Sequence, residues 1–444
     1  MKTTITLSRA MIFLTLLTLM SPAITFGCPI FLFAGDLPSP GFVGKRHELQ
    51  AWALEEKGKK RWAKKTVQID PVSARGELLF FSPGEDWRKA PVRPLDRLSL
   101  RAEDFGPRAA SRTPMPCGAR QVWSVSLKNH PERHLYLARC PPAATTEAVP
   151  VRHEPIYRKV ISRRFLYRYA ADNPLLFDHL EFRSAFKDHY IPIGFDSDQR
   201  IHANLKSFPS LQFGSRDFEV AIQAERNGPL GLVGELNFFW RVMFLKLDLN
   251  LTPEVNFFDN TVYMPMIMHL PVDAEDYLHP GSGLYYTWRS GPEVHWDIRR
   301  SRIPLFHRQR VAKGRRRLAE VGALFCRKDR CEFDLRAMEG RGKPGPESGR
   351  RVRFAFIVPR NLVDLGFFPL LIRDAFAVEE ELGYGISRFR ARGRMGVYFD
   401  TSALPAGSHG WDFRVDFFEN ETDRRQREPL CMDEPLVGKM RLAH

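Results

Sequence analysis

Beyond Met20, no stretch reaches the run of about 18 uninterrupted apolar residues that a membrane helix needs, so no later span is expected. A sustained ladder of alternating strands of about ten residues is missing too, which argues against an outer-membrane barrel. The chain has no P-loop, no dinucleotide fingerprint and no His-Glu-x-x-His pair, so nucleotide-driven, redox-cofactor and zincin chemistries lose their usual signatures. No cofactor is expected. There is no Cys-x2-Cys knuckle, which leaves a structural zinc site without its framework. Acidic residues are outnumbered: 52 Asp and Glu face 67 Lys and Arg, a net charge of +15. An excess of this size suits an anionic neighbour. Nucleic acid is not the expected one, because no nucleic-acid motif accompanies the charge and export argues against it.

What the chain does have is an export signal. Met1-Lys2 and Arg9 give a positive start, and Ala10 to Met20 is an apolar core of 11 residues. Ser21-Pro22 then breaks it, and small residues reach Gly27, so residues 1–27 read as a signal peptide and the mature chain as periplasmic or secreted. Cleavage there would leave Cys28 first, where lipid modification is conceivable, although Thr25-Phe26 matches a lipobox poorly.

The six cysteines fit an oxidising compartment. Cys326 and Cys331 lie between two apolar runs, as a disulfide across a hairpin mouth would. Cys117 and Cys140 flank two alternating runs and are expected to clamp that hairpin. Cys28 and Cys431 are left over; they pair with each other or stay apart, with Cys28 lipidated. Six cysteines allow fifteen connectivities, so these pairings rest on hairpin geometry alone.

The most regular patterning runs from Asp217 to His307. Phe218, Val220, Ile222 and Ala224 alternate with polar residues, as in a half-buried strand. Leu236, Phe238, Trp240, Val242 and Phe244 share one face, and from Leu245 the phase slips by one. That slip predicts a β-bulge or a strand passing between sheets. Val262, Met264, Met266, Met268 and Leu270 alternate again.

The chain as a whole therefore reads as mostly β, with two or three β-sandwich-like domains, immunoglobulin-like or larger, and few short helices. The expected divisions are 28–145 as an N-terminal β-rich domain, 151–315 as a central sandwich, and 316–444 as a sandwich-like region, either separate from it or continuous with it. The Pro-rich stretch from Pro141 to Pro150 supplies the linker. Short helices are expected between His47 and Lys65 and between Leu370 and Glu381.

Candidate chemistry gathers in the central block. His269, His279 and His295 with Asp297 and Glu293 could bind a metal, or His295 and Asp297 could form an oriented base, since residues two apart on a strand leave the same face. Both require several strands to converge. Tyr285, Tyr286, Trp288 and Trp296 could stack on sugar rings, though core packing is the commoner fate of such residues. Arg388, Arg390 and Arg392 recur at period two, as a basic row on one strand face does.

Three functional classes stay open on this pattern. The first is an exported, non-catalytic β-sandwich protein that binds an anionic envelope or extracellular polymer, such as polysaccharide or lipid headgroups. The second is a carbohydrate-active hydrolase or lyase with its site near His269 to Asp297. The third is a structural or assembly factor of the envelope.

Overall fold

The computed structural model describes residues 29–37, 44–55, 61–73, 79, 89–110, 113–119, 122–142, 150–171, 173–183, 190–207, 209–242, 245–248, 254–291, 294–297, 319–321, 323–326, 329–339, 350–373, 394–419, 424 and 435–439. These residues form a small β-sandwich and a large one. Among the described residues, helix is confined to short pieces such as Ala274–Tyr277 and Arg360–Asp364. The expected signal peptide, Cys28, Cys431 and the row from Arg388 to Arg392 lie outside the described residues.

The small sandwich stacks a three-stranded sheet on a six-stranded one. The first is Pro29–Phe33, Arg97–Arg101 and Gln68–Asp70, in that order. The second runs Pro435–Lys439, Val122–Leu127, Arg133–Arg139, Leu49–Glu55 and Arg61–Lys65, with Gly106–Pro107 on the Arg133–Arg139 strand. Alternation fills the space between them: Ile30, Leu32, Leu98 and Leu100 meet Ala51, Trp123, Val125 and Leu137. The helix expected between His47 and Lys65 is instead a pair of antiparallel strands in which Ala51 faces Lys65 and Leu54 faces Trp62. The inward residues of the first strand include Ala51 and Ala53, whose small side chains hide its period from a hydropathy reading.

The large sandwich has two ten-stranded sheets. The first runs Ala319–Val321, Leu370–Arg373, Arg394–Asp400, Gly283–Ser290, Tyr190–Ala203, Asn173–Arg183, Phe165–Ala170, Lys159–Ile161 and Arg152–Glu154, with Leu211–Gly214 on the Tyr190–Ala203 strand. The second runs Phe218–Asn227, Gly231–Val242, Glu254–Phe258, Thr261–Leu270, Gly407–Phe418, Arg351–Pro359, Arg330–Glu339 and Val294–Asp297. Leu245–Asp248 and Ala323–Cys326 attach beside it. Both sheets draw strands from before and after residue 316, and Pro435–Lys439 returns to pair with Val122–Leu127 in the small sandwich. Leu370, expected to open a helix, starts a strand.

The core between the large sheets is aromatic. Trp288 is fully buried and stacks on Phe354 with ring centroids 5.2 Å apart, while Phe165 stacks on Phe417 at 4.8 Å. Burying each such side chain contributes roughly 1.5–3 kcal/mol. At Gly194 a Cβ would sit 2.9 Å from the Phe177 ring, so the dense packing leaves room there only for hydrogen. The phase slip at Leu245 marks neither a bulge nor a change of sheet. The strand ends at Val242, and Leu245–Asp248 folds back antiparallel with Val242 opposite Leu245. A reversal and a bulge shift the phase alike, so period alone does not separate them.

A third interface joins the two sandwiches, and it is polar. The three-stranded sheet turns Phe31, Gln68, Asp70 and Arg97 toward the outer face of the second large sheet. Arg97 donates to Glu254 at 2.7 Å and to Asn256 at 3.1 Å, and Arg226 reaches Asp70 at 3.2 Å. Gln68 Oε1 accepts from the backbone N–H groups of Leu230 and Gly231, each at 3.1 Å. Phe31 contributes the apolar part against Tyr263, at 5.2 Å between centroids. Four sheets thus stack with apolar, polar and apolar contacts in turn.

Candidate binding face

The candidates from the sequence fall in separate places. His269 lies on the outer face of the second large sheet, exposed, with Ser408 Oγ 3.2 Å from its Nδ1. Asp297 belongs to a strand at the far edge of that sheet and pairs with Arg336 in register. Arg336 pairs with Arg353, Arg353 with Asp416, and Asp416 with Thr261, eight residues along the strand from His269. At about 3.4 Å per residue and 4.8 Å per strand, the backbone positions of His269 and Asp297 stand roughly 30 Å apart. His279 is exposed in the loop ahead of the Gly283–Ser290 strand of the other sheet. These backbone positions do not gather around one point. Glu293 and the side chains of His295 and Asp297 lie outside the description. Among the described residues, no group of three His, Cys, Asp or Glu side chains is placed to hold a metal ion.

The aromatic candidates are built into packing. Trp288 and Tyr286 face the core, where burial pushes the Tyr286 phenol well above its ordinary pKa, and Trp296 packs on Trp288 and Phe354. Tyr285 is buried against Tyr398 at 4.6 Å. Tyr286 and Trp296 are partly buried, with their rings packed on these neighbours.

Charge is arranged on both outer faces of the large sandwich. On the second sheet it is enclosed. Arg353, fully buried, bridges Glu332 at 2.9 Å and Asp416 at 2.5 Å. Asp416 also accepts from Arg414 at 2.7 Å and from Thr261 Oγ1 at 2.8 Å. Burial alone would raise the Asp416 pKa, yet Arg414 and Arg353 hold it down at about 2. Glu332 goes the other way: burial pushes it up to about 7 against the pull of Arg353. Burial also lifts Asp412 to about 6. Closed ion pairs of this kind hold strands in register.

On the first sheet the charge faces out. The registers Lys159–Arg168, Arg168–His179, His179–Phe195, Phe195–Arg289 and Arg289–Arg394 join end to end, so these six residues form one line across six neighbouring strands. Val160, Tyr167, Leu180 and Trp288, next to Lys159, Arg168, His179 and Arg289 in sequence, point into the core, which turns these members of the line outward. At about 4.8 Å per strand the line is roughly 24 Å long. The Arg168 and Arg289 side chains are 32% and 52% exposed. His179 packs edge-on against Phe195 at 4.9 Å, and its Nδ1 has no hydrogen-bond partner. Desolvation, then Arg168, lowers the pKa of His179.

The acids beside this line are shared or local. Asp178 meets both Arg168 at 3.3 Å and Arg158 at 4.0 Å, two guanidiniums to one carboxylate. Asp196 meets Arg289 from a bulge between Phe195 and Asp198, where its φ of 44° re-aims the side chain. No single strand announces the line, because each contributes one residue and only the register brings them together.

Among the described residues, fold and face together define a mostly β protein of two packed sandwiches, with disulfides Cys117–Cys140 and Cys326–Cys331. Those disulfides are compatible with an extracellular or periplasmic setting. No helix among the described residues is long and apolar enough to cross a membrane. No protein-family model matches the chain, and no curated protein does. Among solved structures it is similar to an alpha-mannosidase from Enterococcus faecalis V583, at 9% identity and a TM-score of 0.40, over 95% of this chain and 45% of that one. It is similar as well to a protein in glycosyl hydrolase family 38 from Enterococcus faecalis, at 7% identity and a TM-score of 0.39, over 95% of this chain and 46% of that one. The chain spans less than half the length of either, and likenesses this distant carry no conclusion about its activity.

Proposed function

We propose that this chain is an exported, non-catalytic β-sandwich protein that binds an anionic envelope or extracellular polymer along the outer face of its first large sheet. The leader read in residues 1–27 and the disulfides support export. One observation carries the binding reading: the register-aligned line from Lys159 through Arg168, His179 and Phe195 to Arg289. Chemistry on a bound sugar needs its acid and base on one bond, within about 10 Å of each other. A line about 19 Å long, with Lys159, Arg168 and Arg289 as its cations, suits repeated contact with successive charges on an extended chain instead. Exposed ion pairs such as Arg289–Asp196 are worth at most about 1 kcal/mol, so a polyanion can compete with the internal carboxylates for the guanidiniums. Phe195 supplies an apolar surface at the centre of the line, where a pyranose C–H face would rest.

The test is retention on immobilised polygalacturonate and heparin under a salt gradient. The wild type is expected to bind and to elute as salt rises, and Arg168→Gln combined with Arg289→Gln to elute at clearly lower salt. Passage of the wild type through both resins at low salt would remove this reading.

A further inference from the structure

The hairpin between Arg152–Glu154 and Lys159–Ile161 forms the open edge of the first large sheet, and its turn is unusual in composition. Ile156 is 90% exposed and Tyr157 63%, the two highest values among the described large hydrophobic side chains. The turn is held in shape. Arg158 has a left-handed backbone with φ 54°, its N–H donates to Pro155 O at 3.0 Å, and its carbonyl accepts from Tyr169 N–H at 3.0 Å. Basic groups surround the apolar pair. Lys159 Nζ lies 5.6 Å from the centroid of the Tyr157 ring, and the Arg152 side chain is 70% exposed. Lys159 is also the first residue of the cationic line, and Arg158 shares Asp178 with Arg168.

We propose that the Pro155–Tyr157 turn is an interfacial anchor that seats this edge of the sandwich on an anionic lipid bilayer. The inference rests on the reading of the first sheet's outer face as a surface for anions and names one such partner. Two apolar side chains on a fixed turn are too small for a stable protein interface, which needs about 800 Å² on each partner. They are sufficient to wedge into the boundary between headgroups and acyl chains, where an aromatic ring with a polar tip is favoured. One such wedge holds weakly, and the basic line beside it supplies the second, electrostatic attraction that stable attachment needs. The pre-formed turn means that little ordering entropy is lost on insertion.

The experiment is co-sedimentation of the full chain with vesicles of pure phosphatidylcholine and with vesicles of equal parts phosphatidylcholine and phosphatidylglycerol. Binding is expected only to the mixed vesicles. Ile156→Ser combined with Tyr157→Ser is expected to weaken it by roughly tenfold or more, with retention on polygalacturonate unchanged. Both positions are exposed, so the fold should survive, and circular dichroism checks this. An independent readout uses Ile156→Trp, whose emission should shift to the blue on adding mixed vesicles. If the double variant sediments like the wild type, or the wild type ignores the mixed vesicles, the anchor is overturned. In either case retention on polygalacturonate shows separately whether the cationic face stands. Equal binding to both vesicle types would also overturn it, since charge would then play no part.

Discussion

The two outer faces of the large sandwich use the same residues to opposite ends. On the second sheet, Arg353, Arg414, Glu332 and Asp416 are almost wholly removed from water and paired with one another. On the first sheet, Arg168 and Arg289 reach solvent, and so do the carboxylates of Asp178 and Asp196 that pair with them. Burial therefore decides what an arginine does in this protein. An enclosed guanidinium has lost its hydration and must keep its partners, so it serves the fold. An exposed one can exchange partners at little cost and is available to a ligand.

The sharpest way to break this contrast is to remove the enclosed guanidinium. Arg353→Ala strands Glu332 and Asp416 without their shared cation and is expected to destabilise the chain by about 3–5 kcal/mol in urea unfolding. Arg168→Gln should shift stability by no more than about 0.5 kcal/mol. Equal losses at the two sites would remove the distinction between the faces.

A smaller effect of defined sign comes from pH. Glu332 titrates at about 7 in the fold and near 4.5 when unfolded, so its contribution is complete below about pH 4.5 and is lost as pH rises through 7. Asp412 acts in the same direction through about pH 6. Asp416 has the opposite sign: its contribution is present above about pH 3.8 and is lost as pH falls toward 2. Unfolding midpoints in urea should therefore fall between about pH 5 and 8, and Glu332→Gln, which mimics the protonated acid, should flatten that decline. A variant whose midpoints follow the wild type across that range would show that Glu332 is not the group responsible.

The smallest expected change in stability accompanies the largest expected change in binding. Arg168→Gln with Arg289→Gln should leave the unfolding midpoint nearly unmoved while lowering the salt needed to release the protein from a polyanion resin. A matched loss of stability would turn the line into one more structural network.

Much of the fold was legible because alternation is a local property. Val262 through Leu270 and Trp411 through Phe418 show their buried faces in the sequence itself, and both hairpin disulfides follow from the runs that flank them. The strand from Leu49 to Glu55 was hidden because alanines carry its buried face. The reversal at Val242 was hidden because a turn and a bulge slip the phase alike. The cationic face was not legible at all. Lys159, Arg168, His179, Phe195 and Arg289 span 130 positions and become neighbours only through register, which depends on strand order. The histidines that look clustered in sequence suffer the reverse: His269 and Asp297 are 28 positions apart in the chain, yet His269 lies on an interior strand and Asp297 on an edge strand four places away.

Arginine footprinting with phenylglyoxal, with and without soluble polygalacturonate, tests the central claim most directly. Without polymer, Arg168 and Arg289 should react and Arg353 should not; with polymer, Arg168 and Arg289 should become protected together. Modification of Arg353 as fast as Arg168, or a polymer that shields other arginines while these two still react, would contradict the account.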